Sequence, residues 1–221
     1  MLLLLGVAAG WLVNLLADRL PPEPRPNRLR SWLVLCAAAG IGLALGLFPV
    51  SMNPFLALGI LTYFGVVAVI DMEHRLILHS VSLSGALLAA ISGVFLHGWW
   101  QTLIGGLAGF GAMFFFYWVG TLFAKYRARR RGADDGEEAL GFGDVTISGV
   151  LGLLLGWPDV MLMLLVGVLL GGMVSLLIVA GQALFRRYQP METFTAYGPY
   201  LLIGASALLF FRDAVLQFFF H

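Results

Sequence analysis

Runs of apolar residues, each near the length that crosses a bilayer, alternate along this chain with short polar connectors. A helix needs about 20 apolar residues to span the hydrocarbon core, within a range of roughly 17–25. Backbone groups in lipid have to be satisfied inside the spanning element, which favours helices. The pattern therefore predicts an all-α bundle of eight transmembrane helices, at about Leu2–Ala17, Trp32–Phe48, Phe55–Ile70, Val81–Leu96, Leu103–Ala124, Leu140–Gly156, Val160–Phe185 and Tyr197–Phe211.

Composition agrees with a polytopic membrane protein and excludes several other classes. Of the 221 residues, 60% are hydrophobic and 11% are charged, whereas a soluble domain is roughly 45–50% apolar and roughly 25% charged. No basic block with interleaved aromatic residues is present, so we expect no nucleic-acid partner. The single cysteine, Cys36, lies inside an apolar run. With a single cysteine the chain can form neither an intrachain disulfide nor a cysteine-based zinc site. We expect neither a metal nor a cofactor.

The charges of the connectors predict how the helices are oriented. Every Lys and Arg except Arg212 falls in alternate connectors, while "PVSMNP", "HGWWQ" and "WPD" contain none. With eight spans all the basic connectors lie on one side, which the positive-inside rule makes cytoplasmic. Both termini then lie outside. We expect short cytoplasmic loops at about 18–31 and 125–139, and residues 1–221 as a single transmembrane domain without a separate soluble domain.

Two carboxylates stand at the ends of predicted spans rather than in loops. Asp71 ends the third span and Asp144 opens the sixth in "GFGD", so the predicted topology brings both to the cytoplasmic face at similar depth. Ionisable groups there are costly unless they face a polar cavity or each other. Two close carboxylates share a proton, so one activates water while the other polarises a peptide carbonyl. This is the chemistry of an aspartic protease, and Gly141 and Gly143 would let a substrate backbone come close or take unusual backbone angles.

Other interpretations of the same residues remain open. The Gly-x-Gly-Asp string by itself also fits a loop followed by a helix cap, and Asp71 also fits a carboxylate reaching for water beside Arg75. A second function from another class is an ion- or proton-coupled transporter that uses Asp71 and Asp144 as relays. Transporter sites usually lie near the midplane, with broken helices and internal repeats, whereas we find no repeat and place both acids at the boundary. A catalytically inactive scaffold is a third hypothesis.

Two further polar residues receive structural interpretations. Asn14 lies on the same helical stripe as Gly6 and Gly10. We interpret it as an interhelical hydrogen bonder, worth roughly 0.6 kcal/mol in membrane proteins, rather than as a catalytic group. We interpret Glu73 as an interfacial charge rather than a third catalytic acid.

Four stretches together resemble the type IV prepilin peptidase family, the membrane aspartic proteases of the Gly-x-Gly-Asp class. "GFGDVTISGVLGLLLGW" resembles the second active-site motif and "VIDMEHRLILHSVSL" the first. "GVAAGWLVNLLADRLP" is similar to the N-terminal helix, and "AYGPYLLIGA" is similar to the stretch that opens the last helix. The motifs occur in the family's order and cover nearly the whole chain.

The resemblance implies a reaction and a location. Such enzymes lie in the cytoplasmic membrane of prokaryotes and cut the basic leader from prepilins and pseudopilins at the cytoplasmic face. The catalytic pair would be Asp71 and Asp144, and Gly141 and Gly143 would shape the second motif. The substrate's apolar helix would pack laterally against the bundle. Neither the substrate nor the oligomeric state follows from the resemblance.

The chain also departs from the family's pattern. Residues 77–79 read Ile-Leu-His where Ile-Pro-Asp or Ile-Pro-Asn is frequent. Thr146 stands where many members have Lys, and Tyr197 where Phe is usual. These changes concern substrate preference, because both aspartates are retained. Many bacterial members carry a cysteine-rich insert after the first helix, linked to zinc and N-methylation. The loop here is short and has no cysteine, so we expect no zinc and do not expect N-methyltransferase activity.

Overall fold

The computed structural model describes residues 1–21, 27–48, 52–74, 77–131, 141–184 and 197–220. Within these ranges every regular element is an α-helix and no strand occurs. The prediction of an all-α fold is confirmed. The helices are α1 (Leu2–Arg19), α2 (Arg28–Leu47), α3 (Pro54–His74), α4 (His79–His97), α5 (Trp99–Arg131), α6 (Phe142–Leu155), α7 (Asp159–Leu184) and α8 (Gly198–Phe220).

Seven of these helices are long and apolar enough to cross a membrane, so the chain is a multi-pass membrane protein. The exception is α6, whose 14 residues give a length of about 21 Å against a hydrocarbon core of about 30 Å. It ends at Leu155, after which Gly156 has a φ of 72° and a ψ of 178°, a conformation that favours glycine, and Pro158 follows. The eighth crossing and the orientation of both termini therefore stay predictions.

Several predicted boundaries differ from the observed ones, and the largest differences are at the ends of α5 and α8. We expected a loop from about residue 125, but α5 continues to Arg131. Lys and Arg are good helix formers and are favoured at a helix C-terminus by the helix dipole. Residues 132–139 of that loop lie outside the described residues. The predicted end of the last span, Phe211, coincides with a kink (φ −133°, ψ 34°), after which α8 resumes to Phe220.

The described chain divides into two compact units, Met1–Val81 with Leu209–His221, and Ser82–Leu208. The single domain expected from the sequence stays a prediction. In the first unit α1 packs against α2 and α3. A Cβ at Gly6 would overlap the carbonyl oxygen of Ala38, and one at Gly42 would overlap that of Leu2. Small residues thus bring the backbones of α1 and α2 into contact, as is common between membrane helices.

The second unit is built around α6, which packs against α5 and α7. Val145, Ile147 and Leu151 on α6 are completely buried. At the α5–α6 contact a Cβ at Gly105 would overlap the carbonyl oxygen of Gly152, and one at Gly152 would overlap that of Gly105. Backbone therefore touches backbone, which fixes the position of α6 and of the residues in its first turn.

We expect Gly105→Ala to lower the thermal unfolding midpoint of the purified protein, because the added methyl group forces α5 away from α6. Overpacking of this kind costs about 1–3 kcal/mol. Gly111→Ala, on the same helix, is the matched control, since a Cβ there has nothing within 4 Å. It should leave the midpoint unchanged or raise it, because alanine in a helix is about 0.5–1 kcal/mol better than glycine. Equal midpoints for the two variants would contradict the close α5–α6 packing.

Candidate active site

Asp144 lies in the first turn of α6 and is 9% exposed. Its backbone N–H donates to the carbonyl oxygen of Gly141 at 3.0 Å. A negative charge is favoured at a helix N-terminus, where unpaired N–H groups and the helix dipole face it. The helix start thus helps to stabilise a carboxylate that is largely withdrawn from water.

Gly141 leaves space beside that carboxylate. Its φ of −72° and ψ of 138° are open to any residue, so the unusual backbone angles that we expected are not found there. A Cβ at this position would lie 3.8 Å from Oδ2 of Asp144, which is ordinary van der Waals contact. What the glycine contributes is therefore room next to the carboxylate rather than backbone freedom.

Three hydroxyl groups hold the first turns of α6. Ser148 Oγ donates to the carbonyl oxygen of Asp144 at 2.7 Å, and Thr146 Oγ1 donates to that of Gly143 at 2.8 Å. Ser82 on α4 places its Oγ 3.5 Å from Thr146 Oγ1, at the outer limit for a hydrogen bond. The Thr146 proton is used on Gly143, so Ser82 is the donor of this pair. Sequence analysis missed Ser82 and Ser148; the only signal was Ser148 at i+4 from Asp144.

Tyr197 immediately precedes α8 and lies outside its apolar span. Its hydroxyl donates to the carbonyl oxygen of Val168 at 3.4 Å. The ring covers Gly171, where a Cβ would lie 2.9 Å from Cζ of the tyrosine. Burial raises the pKa of Tyr197 above its ordinary value, and the negative charges of Asp144 and Tyr200 add to the effect. Tyr197 is therefore an electrostatic neighbour of Asp144, a relation that the sequence did not reveal.

Asp71 lies in the last turn of α3 and is 4% exposed. Two residues further on, Glu73 Oε2 accepts a hydrogen bond from Nη1 of Arg30 at 2.8 Å. Nη2 of the same arginine donates to Asp18 Oδ1 at 2.6 Å. Asn14 Nδ2 donates to the carbonyl oxygen of Ser31 at 3.1 Å, which is an interhelical bond from α1 to α2. The ends of α1 and α3 and the start of α2 thus meet in one polar cluster.

Asp144 and Gly141 are close neighbours within the second unit, while Asp71 and Asn14 belong to the first. Gly143 lies between Asp144 and Gly141 in the chain, at the start of α6. The pairing of Asp71 with Asp144 stays a prediction. Among the described residues no group of three or more His, Cys, Asp or Glu side chains could hold a metal ion.

Comparison with known proteins identifies relatives of this chain. Residues 56–176 match the model of the type IV leader peptidase family. That range is more than half of the chain and includes both Asp71 and Asp144. No solved structure matches the chain.

Curated relatives are named prepilin leader peptidase/N-methyltransferase. The protein from Pectobacterium carotovorum subsp. carotovorum is 32% identical over 151 residues, which cover 67% of this chain and 48% of that protein. The protein from Aeromonas hydrophila is 26% identical over 119 residues, covering 54% of this chain and 36% of that protein. The protein from Aeromonas salmonicida (strain A449) is 26% identical over 119 residues, which cover 54% of this chain and 35% of that protein. The matches thus span about half the length of the first relative and about a third of the others.

We expect Asp144→Asn to lower the pKa of Tyr197, because removing a nearby negative charge makes the phenolate easier to form. Titration of ¹³C-labelled tyrosine by NMR, with Tyr197→Phe to assign the signal, measures this directly. The matched control is Asp159→Asn at the start of α7, beyond the other end of α6, which should leave the titration unchanged. An unchanged Tyr197 titration in Asp144→Asn would show that the carboxylate does not face this tyrosine.

Proposed function

We propose, because this chain belongs to the type IV leader peptidase family, that it is a membrane aspartic endopeptidase acting on type IV prepilins or pseudopilins. The observation that carries the proposal is the burial of two aspartates, both inside the matched region and both at helix ends. Asp144 opens α6 beside the space at Gly141, and Asp71 closes α3. Carboxylates this far from water are costly unless they are paired, hydrogen-bonded or protonated.

In the proposed reaction Asp71 and Asp144 share one proton. The ionised carboxylate takes a proton from a water molecule, whose oxygen attacks the carbonyl carbon of the scissile peptide bond. The protonated carboxyl donates a hydrogen bond, then its proton, to the carbonyl oxygen as the tetrahedral intermediate forms. Collapse of that intermediate breaks the C–N bond: the leaving amine receives the proton that came from water, and a hydroxyl group of the intermediate returns its proton to the other carboxylate. The carboxylates return to their starting state, so no metal ion is required.

The proposed substrate is a prepilin or pseudopilin with a short basic leader followed by an apolar helix. Its helix would lie in the bilayer beside the bundle, and the leader junction would reach the aspartates at the cytoplasmic face. Space beside Asp144 at Gly141 supports this route, because an extended peptide can approach there. The proposed location is the cytoplasmic membrane of a prokaryote, with the basic connectors inside. The family match favours the peptidase over the transporter hypothesis, because the matched family is one of peptidases.

We expect Asp71→Asn and Asp144→Asn each to abolish cleavage of a prepilin-like peptide that carries a basic leader, a glycine and an apolar helix. Neither amide can take up the proton that the water loses. Cleavage is measured by mass spectrometry of the products with purified protein in lipid. Loss should be about 10²–10⁴-fold, the range for one general acid–base group.

Asp213→Asn serves as the matched control, since Asp213 is an exposed aspartate on α8 and has no part in the proposed reaction. It should cleave at the wild-type rate. Full activity in either Asp71→Asn or Asp144→Asn, with folding verified by circular dichroism, would exclude the two-aspartate mechanism.

We expect the cleaved product to carry no added methyl group when S-adenosylmethionine is supplied. The loop after α1 is short and lacks the cysteines that the resemblance links to N-methylation. The same mass measurement on the mature product decides the question. A product heavier by one methyl group would show that methyl transfer needs no cysteine-rich insert.

A further inference from the structure

Arg30 connects three helices through two ion pairs. It lies in the first turn of α2, with its Nη2 2.6 Å from Asp18 at the end of α1 and its Nη1 2.8 Å from Glu73 at the end of α3. The Arg30 side chain is 11% exposed, and those of Asp18 and Glu73 are 34% and 19% exposed. We call these three side chains the Arg30 clamp.

The clamp is shielded enough to hold a position. Exposed ion pairs contribute little, because water and salt screen them. The guanidinium here is mostly withdrawn from water, and its planar fork gives each terminal nitrogen one carboxylate. Breaking such a pair leaves an uncompensated, partly buried charge, which is destabilising. Lysine cannot reproduce the arrangement, because its ammonium is a single point charge without a fork.

The clamp acts on the helix turn that carries Asp71. Glu73 is the penultimate residue of α3 and follows Asp71 by two positions. The last turn of a helix lacks partners for its final carbonyl groups and frays readily. The ion pair between Glu73 and Arg30 restrains the C-terminal side of that turn, and the buried side chain of Ile70 restrains its N-terminal side.

A second bond fixes the base of the clamp. Asn14 on α1 donates to the carbonyl oxygen of Ser31, the residue after Arg30. Asn14 lies one turn before Asp18, so the end of α1 is attached to the start of α2 at two successive turns. The guanidinium is therefore held at a defined place, from which it reaches α3.

We propose that Arg30 is a positioning residue for the reaction, which sets the last turn of α3 so that the Asp71 carboxylate points toward the attacking water. This inference rests on the proposed peptidase function. Arg30 itself touches neither substrate nor water in the reaction. Sequence analysis treated it only as one of the basic residues that orient the helices.

The test compares Arg30→Gln with Arg28→Gln in the cleavage assay. Arg28 lies two residues away on the same helix and is exposed. Both variants therefore remove one positive charge from the same connector region, and their effect on membrane orientation should be the same. We expect kcat of Arg30→Gln, per folded enzyme, to fall on the order of 100-fold, because a displacement of about 1 Å has that effect. KM should change by less than about threefold, since substrate binding is untouched. Arg28→Gln should match the wild type in both parameters.

Two further variants distinguish positioning from stability alone. Arg30→Lys keeps the charge but not the fork, and we expect a kcat between those of wild type and Arg30→Gln. The double variant Arg30→Gln/Glu73→Gln also removes the partly buried Glu73 charge, which has lost its counter-charge in Arg30→Gln. Its thermal midpoint should therefore recover relative to that of Arg30→Gln. Its kcat should stay low, because the tie between α2 and α3 is still missing.

Hydrogen exchange supplies a measurement that needs no activity. We expect the backbone amides of residues 70–74 to exchange about tenfold faster in Arg30→Gln than in wild type, which corresponds to about 1.4 kcal/mol of lost local stability. Arg28→Gln should leave that segment unchanged. Exchange in the two variants at the same rate would show that the clamp does not hold the end of α3.

The outcomes separate this inference from the function on which it rests. Cleavage by the wild type with an unchanged kcat in Arg30→Gln would overturn the positioning role and leave the peptidase intact. Equal losses in Arg30→Gln and Arg28→Gln would also overturn it, because the common effect would be on membrane orientation. No cleavage by the wild type would overturn the proposed function, and with it the positioning role.

Discussion

The cost of removing a carboxylate from water bears on each of the two buried aspartates. A buried ionised group has to be stabilised by hydrogen bonds, dipoles or opposite charges, or it takes up a proton. Asp144 is placed at a helix N-terminus, where the dipole favours its charge. Asp71 stands at a helix C-terminus, where the dipole is unfavourable for an anion. The two acids therefore occupy unlike electrostatic settings, which is what the proposed reaction requires of a pair in which one member carries the proton and the other does not.

Each setting is supported by a different kind of contact. Around Asp144 the support comes from backbone and hydroxyl groups: Ser148 bonds its carbonyl, Thr146 bonds that of Gly143, and α5 presses against α6 at Gly105 and Gly152. At the end of α3, two residues beyond Asp71, the ion pair between Arg30 and Glu73 is the contact that we propose holds the turn. The first turns of α6 are thus held by short neutral contacts, whereas the proposed restraint on α3 uses longer charged side chains.

Much of the helix arrangement could be predicted because apolar length is a strong signal in membrane proteins. All eight helices occur near their predicted places, and the prominent acids, Asp71 and Asp144, both lie at helix ends as expected. The shortness of α6 could not be predicted from hydropathy, since the run from Leu140 to Gly156 is apolar apart from Asp144, Thr146 and Ser148. What ends that helix is the backbone at Gly156, which hydropathy does not report.

Contacts between residues that are far apart in the chain could not be predicted from the sequence. Arg30 pairs with residues 12 and 43 positions away. A count of charges predicts on which side of the membrane a basic residue lies, but not which residue it contacts. Ser82 and Thr146 are 64 positions apart, and hydroxyl residues carry no periodic signal. Tyr197 was noticed only as a departure from phenylalanine, although the charge of Asp144 contributes to raising its pKa.

The contact between Gly105 and Gly152 has a bearing on how this chain can change over time. Where a large side chain fits a cavity, enlarging one partner can be offset by trimming the other. Here neither partner has a side chain to trim, so no replacement at one position can suppress a bulkier residue at the other. Second-site revertants of a substitution at this crossing should therefore map to other residues, which let the two helices move apart together.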